Sequence, residues 1–260
     1  MKLGISVMKI LAPMAILAIA AAALATPEIG KKKTAVINKA SEVSAYKIKP
    51  GQKEILQDMM RVLKATDSLR VFTITGFNKA EDLADPSNSM NVEFKYAKND
   101  TAVYYRLGDN EMIHLPGGEI SIQHDFRKIL VFPGRQANRG FKTPLTLDLK
   151  QLEKEEYDIS KTQVNGLTEI KLARENHISC REYSLQYDSA GLMKSLFMRM
   201  SDLSDPTDTG RDKLLHVQVQ QWRKGYAETG LFDISRYVHR ENGTLVPAGH
   251  LKDYEIIFAQ

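Results

Sequence analysis

The chain has 260 residues, 43% of them hydrophobic and 26% charged, a formal charge of +4 and one cysteine, a composition that excludes collagen-like, disordered and disulfide-scaffold proteins. With Cys180 alone no intramolecular disulfide can form, so the fold must stand on its core. The basic residues form no dense stripe; the only compact run, Lys31-Lys32-Lys33, reads as a solvated lead-in, which excludes a dedicated nucleic-acid binder.

Residues 1–25 carry Lys2 and Lys9, then an apolar run over 10–25 that ends in Ala23-Leu24-Ala25. A basic start, a short apolar stretch and small residues at the end are the parts of a secretory signal peptide, with cleavage expected after Ala25. The run is too short, and broken by Pro13, for a membrane anchor. The expected product is periplasmic or secreted, with no membrane span after cleavage and no cysteine beside the cleavage site to carry a lipid. Residues 26–49 read as a linker or N-terminal extension, and 50–260 as one domain with an aromatic extension from about 222.

Over 51–65, Ile55, Leu56, Met59, Met60, Val62 and Leu63 recur at helical spacing behind Pro50 and Gly51. From Leu69 the period becomes two. Phe72 and Ile74 alternate with Thr73 and Thr75, and Val92, Phe94 and Tyr96 alternate with Glu93 and Lys95, the pattern of half-buried antiparallel strands. Lys98-Asn99-Asp100 and Gly108-Asp109-Asn110 punctuate a meander that continues through Ile120, Ile122 and residues 129–132. A loop follows over 134–144, then a second helix over about 145–156 with Leu145, Leu149 and Leu152 on one face. Asn165-Gly166 is the strongest hairpin signal and 188–191 marks another. Tyr183, Leu185 and Tyr187, then Leu196, Met198 and Met200, then Leu215, Val217 and Val219 alternate with polar residues. Residues 254–258 read as a closing strand.

This gives nine to eleven antiparallel strands and two helices, without βαβ alternation. The expected class is mainly β (α+β): a strongly curved antiparallel sheet forming an incomplete barrel, covered by two or more helices. The stretch from Asn91-Val-Glu-Phe-Lys-Tyr to Leu107-Gly108-Asp109-Asn110, leading to a hairpin that ends at Phe132, together with the early helix and the helix between two runs of strands, resembles the LolA/LolB family of periplasmic lipoprotein carriers over most of 50–220. The resemblance implies a half-barrel lidded by helices whose inner wall holds acyl chains without covalent chemistry. It also implies an inward arginine that latches the lid, with Arg70 and Arg106 as possible counterparts. The segment after Trp222 has no match in that layout.

The expected cavity lining is Phe72, Ile74, Phe94, Tyr96, Val103, Tyr105, Leu196, Met198, Val217 and Val219, with Met59 and Met60 from the first helix; flexible, polarizable methionines suit a variable apolar ligand. The same residues would serve equally as a filled core. Expected partners are lipid or lipoprotein acyl chains, with envelope proteins as further partners, for a monomer with no cofactor. Catalysis is not expected: HExxH, GxSxG, P-loop and CxxC motifs are missing, His114, His124 and Asp125 lack a diagnostic spacing, and Cys180, three residues after His177, reads as a buried structural thiol. Loop 201–212 holds Asp202, Asp205, Asp208 and Asp212, oxygen ligands that would suit calcium, but not at EF-hand spacing; turns around Pro206 and Gly210 account for them. The alternative to a carrier is an interaction or sensor module whose aromatic tail, Trp222, Tyr226, Phe232, Tyr237 and Val238, meets a partner.

Overall fold

The computed structural model describes residues 49–134, 152 and 155–258. The expected signal peptide, linker and 134–144 loop lie wholly or almost wholly outside the described residues. So does most of the second helix, of which Leu152 is buried and Glu155 and Glu156 form a turn.

The fold is mainly β. Among the described residues twelve of fourteen strands form one sheet that stays open, as expected of an incomplete barrel, and the other two form a hairpin. The chain divides into two compact units, Met1–Lys64, Asp82–Pro86 and Thr143–Leu214 in the first, Ala65–Glu81, Ser87–Lys142 and Leu215–Gln260 in the second.

In the first unit helix α1 spans Pro50–Leu63. Proline occupies the first turn, where its missing N–H costs nothing, and the Lys49 N–H donates to Gln52 Oε1 (3.2 Å). Leu56, Met59, Met60, Val62 and Leu63 are buried, the face expected from their spacing. Strands β7 (Asp158–Val164), β8 (Leu167–Ala173), β9 (Cys180–Tyr187) and β10 (Met193–Met200) pair antiparallel in succession. Asn165 and Gly166, at φ 52° and 79°, make the two-residue turn of β7–β8. At β9–β10 the Asp188 carboxylate accepts from the N–H groups of Ala190 and Leu192, and Gly191 takes φ 73°. Register places Ile159, Leu172, Tyr183 and Met198 in one cross-strand row and Lys161, Ile170, Leu185 and Leu196 in the next, all on one face. Helix α1 lies against β7, where Asp58 pairs with Lys161. The opposite face is polar. Glu169 Oε1 accepts from Ser184 and Gln186, Gln186 accepts from Ser195, and Lys171 pairs with Glu182.

In the second unit α2 (Ala65–Ser68) is a single turn. Strands β1 (Val71–Asp82), β2 (Met90–Asn99), β3 (Ala102–Leu107), β4 (Asn110–Leu115), β5 (Gly118–Gln123) and β6 (Lys128–Pro133) form the expected meander, with β11 (Lys213–Lys224) beyond β1. Register sorts its side chains onto two faces. Phe72, Ile74, Phe94, Tyr96, Val103, Tyr105, Leu107 and Met112 share one, the Phe72 face; Thr73, Ala97, Tyr104, Ile113, Ile120, Ile122 and Ile129 share the other, the Ile113 face. Both are apolar, which is why Val103-Tyr104-Tyr105 runs apolar without alternation.

The C-terminal segment covers the Ile113 face. It leaves β11 at Gly225 (φ 70°), whose N–H donates to the Val71 carbonyl, while the Thr73 hydroxyl donates to the Tyr226 carbonyl. Leu231, Tyr237, Val238 and Leu251 then pack on Ala97, Tyr104, Ile113, Ile120, Ile122 and Ile129. The segment contains the hairpin β12 (Val238–Glu241) and β13 (Thr244–Pro247), turned by Asn242-Gly243 at φ 50° and 82°. It ends in β14 (Glu255–Phe258). The expected closing strand is there, but it pairs parallel to β6, not antiparallel. A long crossover lets a strand enter an edge in the parallel sense, and residues 225–254 provide it.

Candidate functional site

The structure distributes the twelve expected lining residues over both units. Met59, Met60, Leu196 and Met198 belong to the first, where all four are buried. Val217 and Val219 are buried in β11, alternating with exposed His216, Gln218 and Gln220. The remaining six, Phe72, Ile74, Phe94, Tyr96, Val103 and Tyr105, share the Phe72 face. Strand parity was legible in the sequence because a period of two leaves no other sorting.

Ile74, Tyr96, Tyr105 and Met112 form one cross-strand row, and Phe94 stands opposite Leu107. The Phe72 ring meets Tyr96 edge-on at 5.3 Å and Trp222 at 6.0 Å. Burial raises the phenol pKa of Tyr96, aided by Asp67, and of Tyr105, so both stay neutral hydroxyls in an apolar wall. A Cβ on Gly76 would stand 2.0 Å from the Gln218 carbonyl oxygen and within 3 Å of the Phe94 ring; only glycine lets that ring lie over β1. Asn78, next on the same face, is buried. Sequence reasoning missed Asn78, and it counted Met112 among the methionines suited to an apolar ligand without placing it in the lining. Continuing the parity of Phe72 and Ile74 along β1 reaches Asn78, and Met112 lies opposite Tyr105 once the β3–β4 turn is placed.

Neither arginine turns into that face. Arg70 is a surface residue that grips Asp100 through Nε and Nη2, both at 2.7 Å, and Arg106 sits on the Ile113 face facing Glu93 at 3.6 Å. Arg70 ends outside because Leu69 and Arg70 precede β1, and Arg106 alternates with the inward Tyr105 and Leu107.

The groups considered for chemistry have structural work. His177 Nδ1 accepts the Cys180 N–H (2.9 Å), and its ring stacks on Tyr157 at 5.1 Å. The Cys180 thiol donates to the Glu182 carbonyl, and burial pushes its pKa up to about 12, far from thiolate reactivity. His124 bridges Tyr254 Oη (2.8 Å) and Glu111 Oε1 (3.0 Å), and Glu111 accepts from Tyr104; the chain of bonds fastens the crossover to β3 and β4. In loop 201–212 the carboxylates of Asp202, Asp205 and Asp208 accept from Ser204, Thr207 and Gly210. The Ser204 hydroxyl and N–H hold the Asp202 carboxyl at about 2. Asp212 is wholly buried between Arg181 (3.1 Å) and Arg199 (2.6 Å). Among the described residues no acidic, histidine or cysteine cluster is arranged to hold a metal, and no helix is long and apolar enough to cross a membrane. The aromatic tail is not a loose binding segment: Tyr237 and Val238 are buried in the second unit's core and the Tyr237 hydroxyl donates to the Leu231 carbonyl.

No family model matches the chain, and comparison with curated proteins returns no match. Solved structures do match. An uncharacterized conserved protein from Thermus thermophilus is 8% identical with a TM-score of 0.39, covering 80% of this chain and 99% of its own. A LolA superfamily protein from Nitrosomonas europaea is 6% identical with a TM-score of 0.32, covering 70% and 97%. An outer membrane lipoprotein-sorting protein domain, described as putative, from Vibrio parahaemolyticus is 12% identical with a TM-score of 0.27, covering 69% and 95%. The LolA superfamily, which the order of elements in the sequence resembles, is thus among the matches.

Proposed function

We propose that the protein is an exported, non-catalytic carrier that holds a lipid or acyl chain against the Phe72 face. One observation carries this reading. The second unit's sheet is apolar on both faces, the chain's own C-terminal segment is spent on the Ile113 face, and the Phe72 face gathers Phe72, Ile74, Phe94, Tyr96, Val103 and Tyr105 with Met112 beside them.

Holding such a ligand needs no chemistry. Each methylene moved from water into an apolar environment contributes about 0.8 kcal/mol, so ten of them contribute about 8 kcal/mol before the cost of immobilisation. Aromatic rings and methionine accept chains of differing shape, and hydroxyls kept neutral by burial supply polar contacts without a buried charge. The basic and apolar leader supports delivery across a membrane, placing the carrier in the periplasm or outside the cell. The layout's resemblance to lipoprotein carriers points to lipid or lipoprotein acyl chains as cargo, with envelope proteins as donor and acceptor.

The test is native mass spectrometry and organic extraction of the protein purified from an exporting host. Acylated material at near-stoichiometric amount is the expected result. A protein that emerges empty and does not take up a fluorescent fatty acid overturns the reading.

A further inference from the structure

Along β1 the Phe72 face reads Phe72, Ile74, Gly76, Asn78, Ala80, with Asn78 opposite Val92. Asn78 is 3% exposed and its Oδ1 has no hydrogen-bond partner. Its side chain bonds toward the Tyr105 hydroxyl, which the same face carries one row from Leu107. Buried amides are normally satisfied at both ends, because an acceptor stripped of water and given nothing in return destabilises the fold. A leucine or valine here would avoid that cost and extend the apolar wall. The unfilled acceptor shares the face on which the carrier reading places its ligand, next along β1 from Gly76 and the Phe94 ring that lies over it.

We infer that Asn78 is the polar subsite of the Phe72 face and selects acyl ligands whose head group carries a hydrogen-bond donor, an amide N–H or a hydroxyl, over esters of the same chain. The inference rests on the carrier reading and adds the ligand's chemistry to it. An ester offers only acceptors, so it leaves Oδ1 unpaired; an amide of equal length fills it. Sites built around a buried polar group discriminate strongly against the analogue that lacks its partner.

The experiment uses the full protein, stripped of co-purified material, and two probes of matched length, N-methylhexadecanamide and methyl hexadecanoate, each displacing a fluorescent fatty acid. The amide is expected to bind about tenfold or more tighter than the ester. In Asn78→Leu the ester is expected to bind at least as well as before, and the preference to vanish. Equal affinity of amide and ester for the unaltered protein overturns the role of Asn78 and leaves the carrier reading standing, as does a preference that persists in Asn78→Leu. Failure of both probes and of the fluorescent fatty acid to bind overturns the carrier reading and this inference together. The comparison on the unaltered protein decides the matter even where Asn78→Leu does not fold.

Discussion

The two units solve the same problem, a hydrophobic antiparallel sheet in water, in opposite ways. In the first, one face of β7–β10 is apolar and bears α1 at β7, while the other is a ladder of serine, glutamine, glutamate and lysine side chains bonded to one another. In the second, both faces are apolar and the chain spends residues 225–254 on covering one. The contrast shows what an apolar face is for. A sheet with a solvated back needs one cover, and a sheet with two apolar faces needs two: the tail provides one, and Phe72, Ile74, Phe94 and Val103 on the other face are buried as well.

The largest way to break the comparison is to remove the second unit's cover. Truncation after Gly225 exposes Ile113, Ile120, Ile122 and Ile129 and removes β14, and is expected to abolish cooperative unfolding by calorimetry. A truncated chain that still melts in one sharp transition would mean the tail is an accessory. The first unit depends instead on a buried polar anchor. Asp212→Ala leaves Arg181 and Arg199 without their shared carboxylate and is expected to cost about 3–5 kcal/mol in a denaturant titration. Gly76→Ala sharpens the picture of the Phe72 face, since its Cβ meets the Gln218 carbonyl at 2.0 Å; a loss of about 1–3 kcal/mol is expected, together with weaker uptake of a fluorescent fatty acid.

The smallest effect concerns α1. Lys161→Ala removes its tie to Asp58 and is expected to cost about 0.2–1 kcal/mol. The pair also sets a pH window. Hydrogen bonding to Lys161 lowers the Asp58 pKa, so its contribution is present above the unfolded value of about 3.9 and is lost as pH falls through the lower folded value. The same bond raises the Lys161 pKa, so its contribution is present below about 10.4 and is lost as pH rises through the higher folded value. Thermal unfolding across pH should show a plateau between those limits, flattened by salt and absent in the variant.

How much was legible in the sequence follows from the same contrast. Strand positions and the sharing of a face by Phe72, Ile74, Phe94 and Tyr96 could be read because alternation is local, and the Asn165-Gly166 turn because only residues tolerant of positive φ fit it. The hairpin at Asn242-Gly243 carries the same signal and passed unread, since its strands are four residues each and the aromatic tail around it suggested a surface segment. The parallel entry of β14 could not be read, because strand direction depends on a crossover path rather than on β14's own residues. Which apolar face the tail covers was equally hidden: Tyr104 and Tyr105 are alike in composition, and only the position of Leu231, Tyr237 and Leu251 distinguishes their surroundings.

The parallel docking of β14 on β6 also has a consequence in time. Residues that complete the Ile113 face lie more than a hundred positions along the chain from their partners in β3–β6. Until Leu231, Tyr237, Val238 and Leu251 dock, the isoleucines of those strands lack that cover. Assembly dominated by such distant pairings is slow, so the Ile113 face is expected to be among the last parts of the second unit to close.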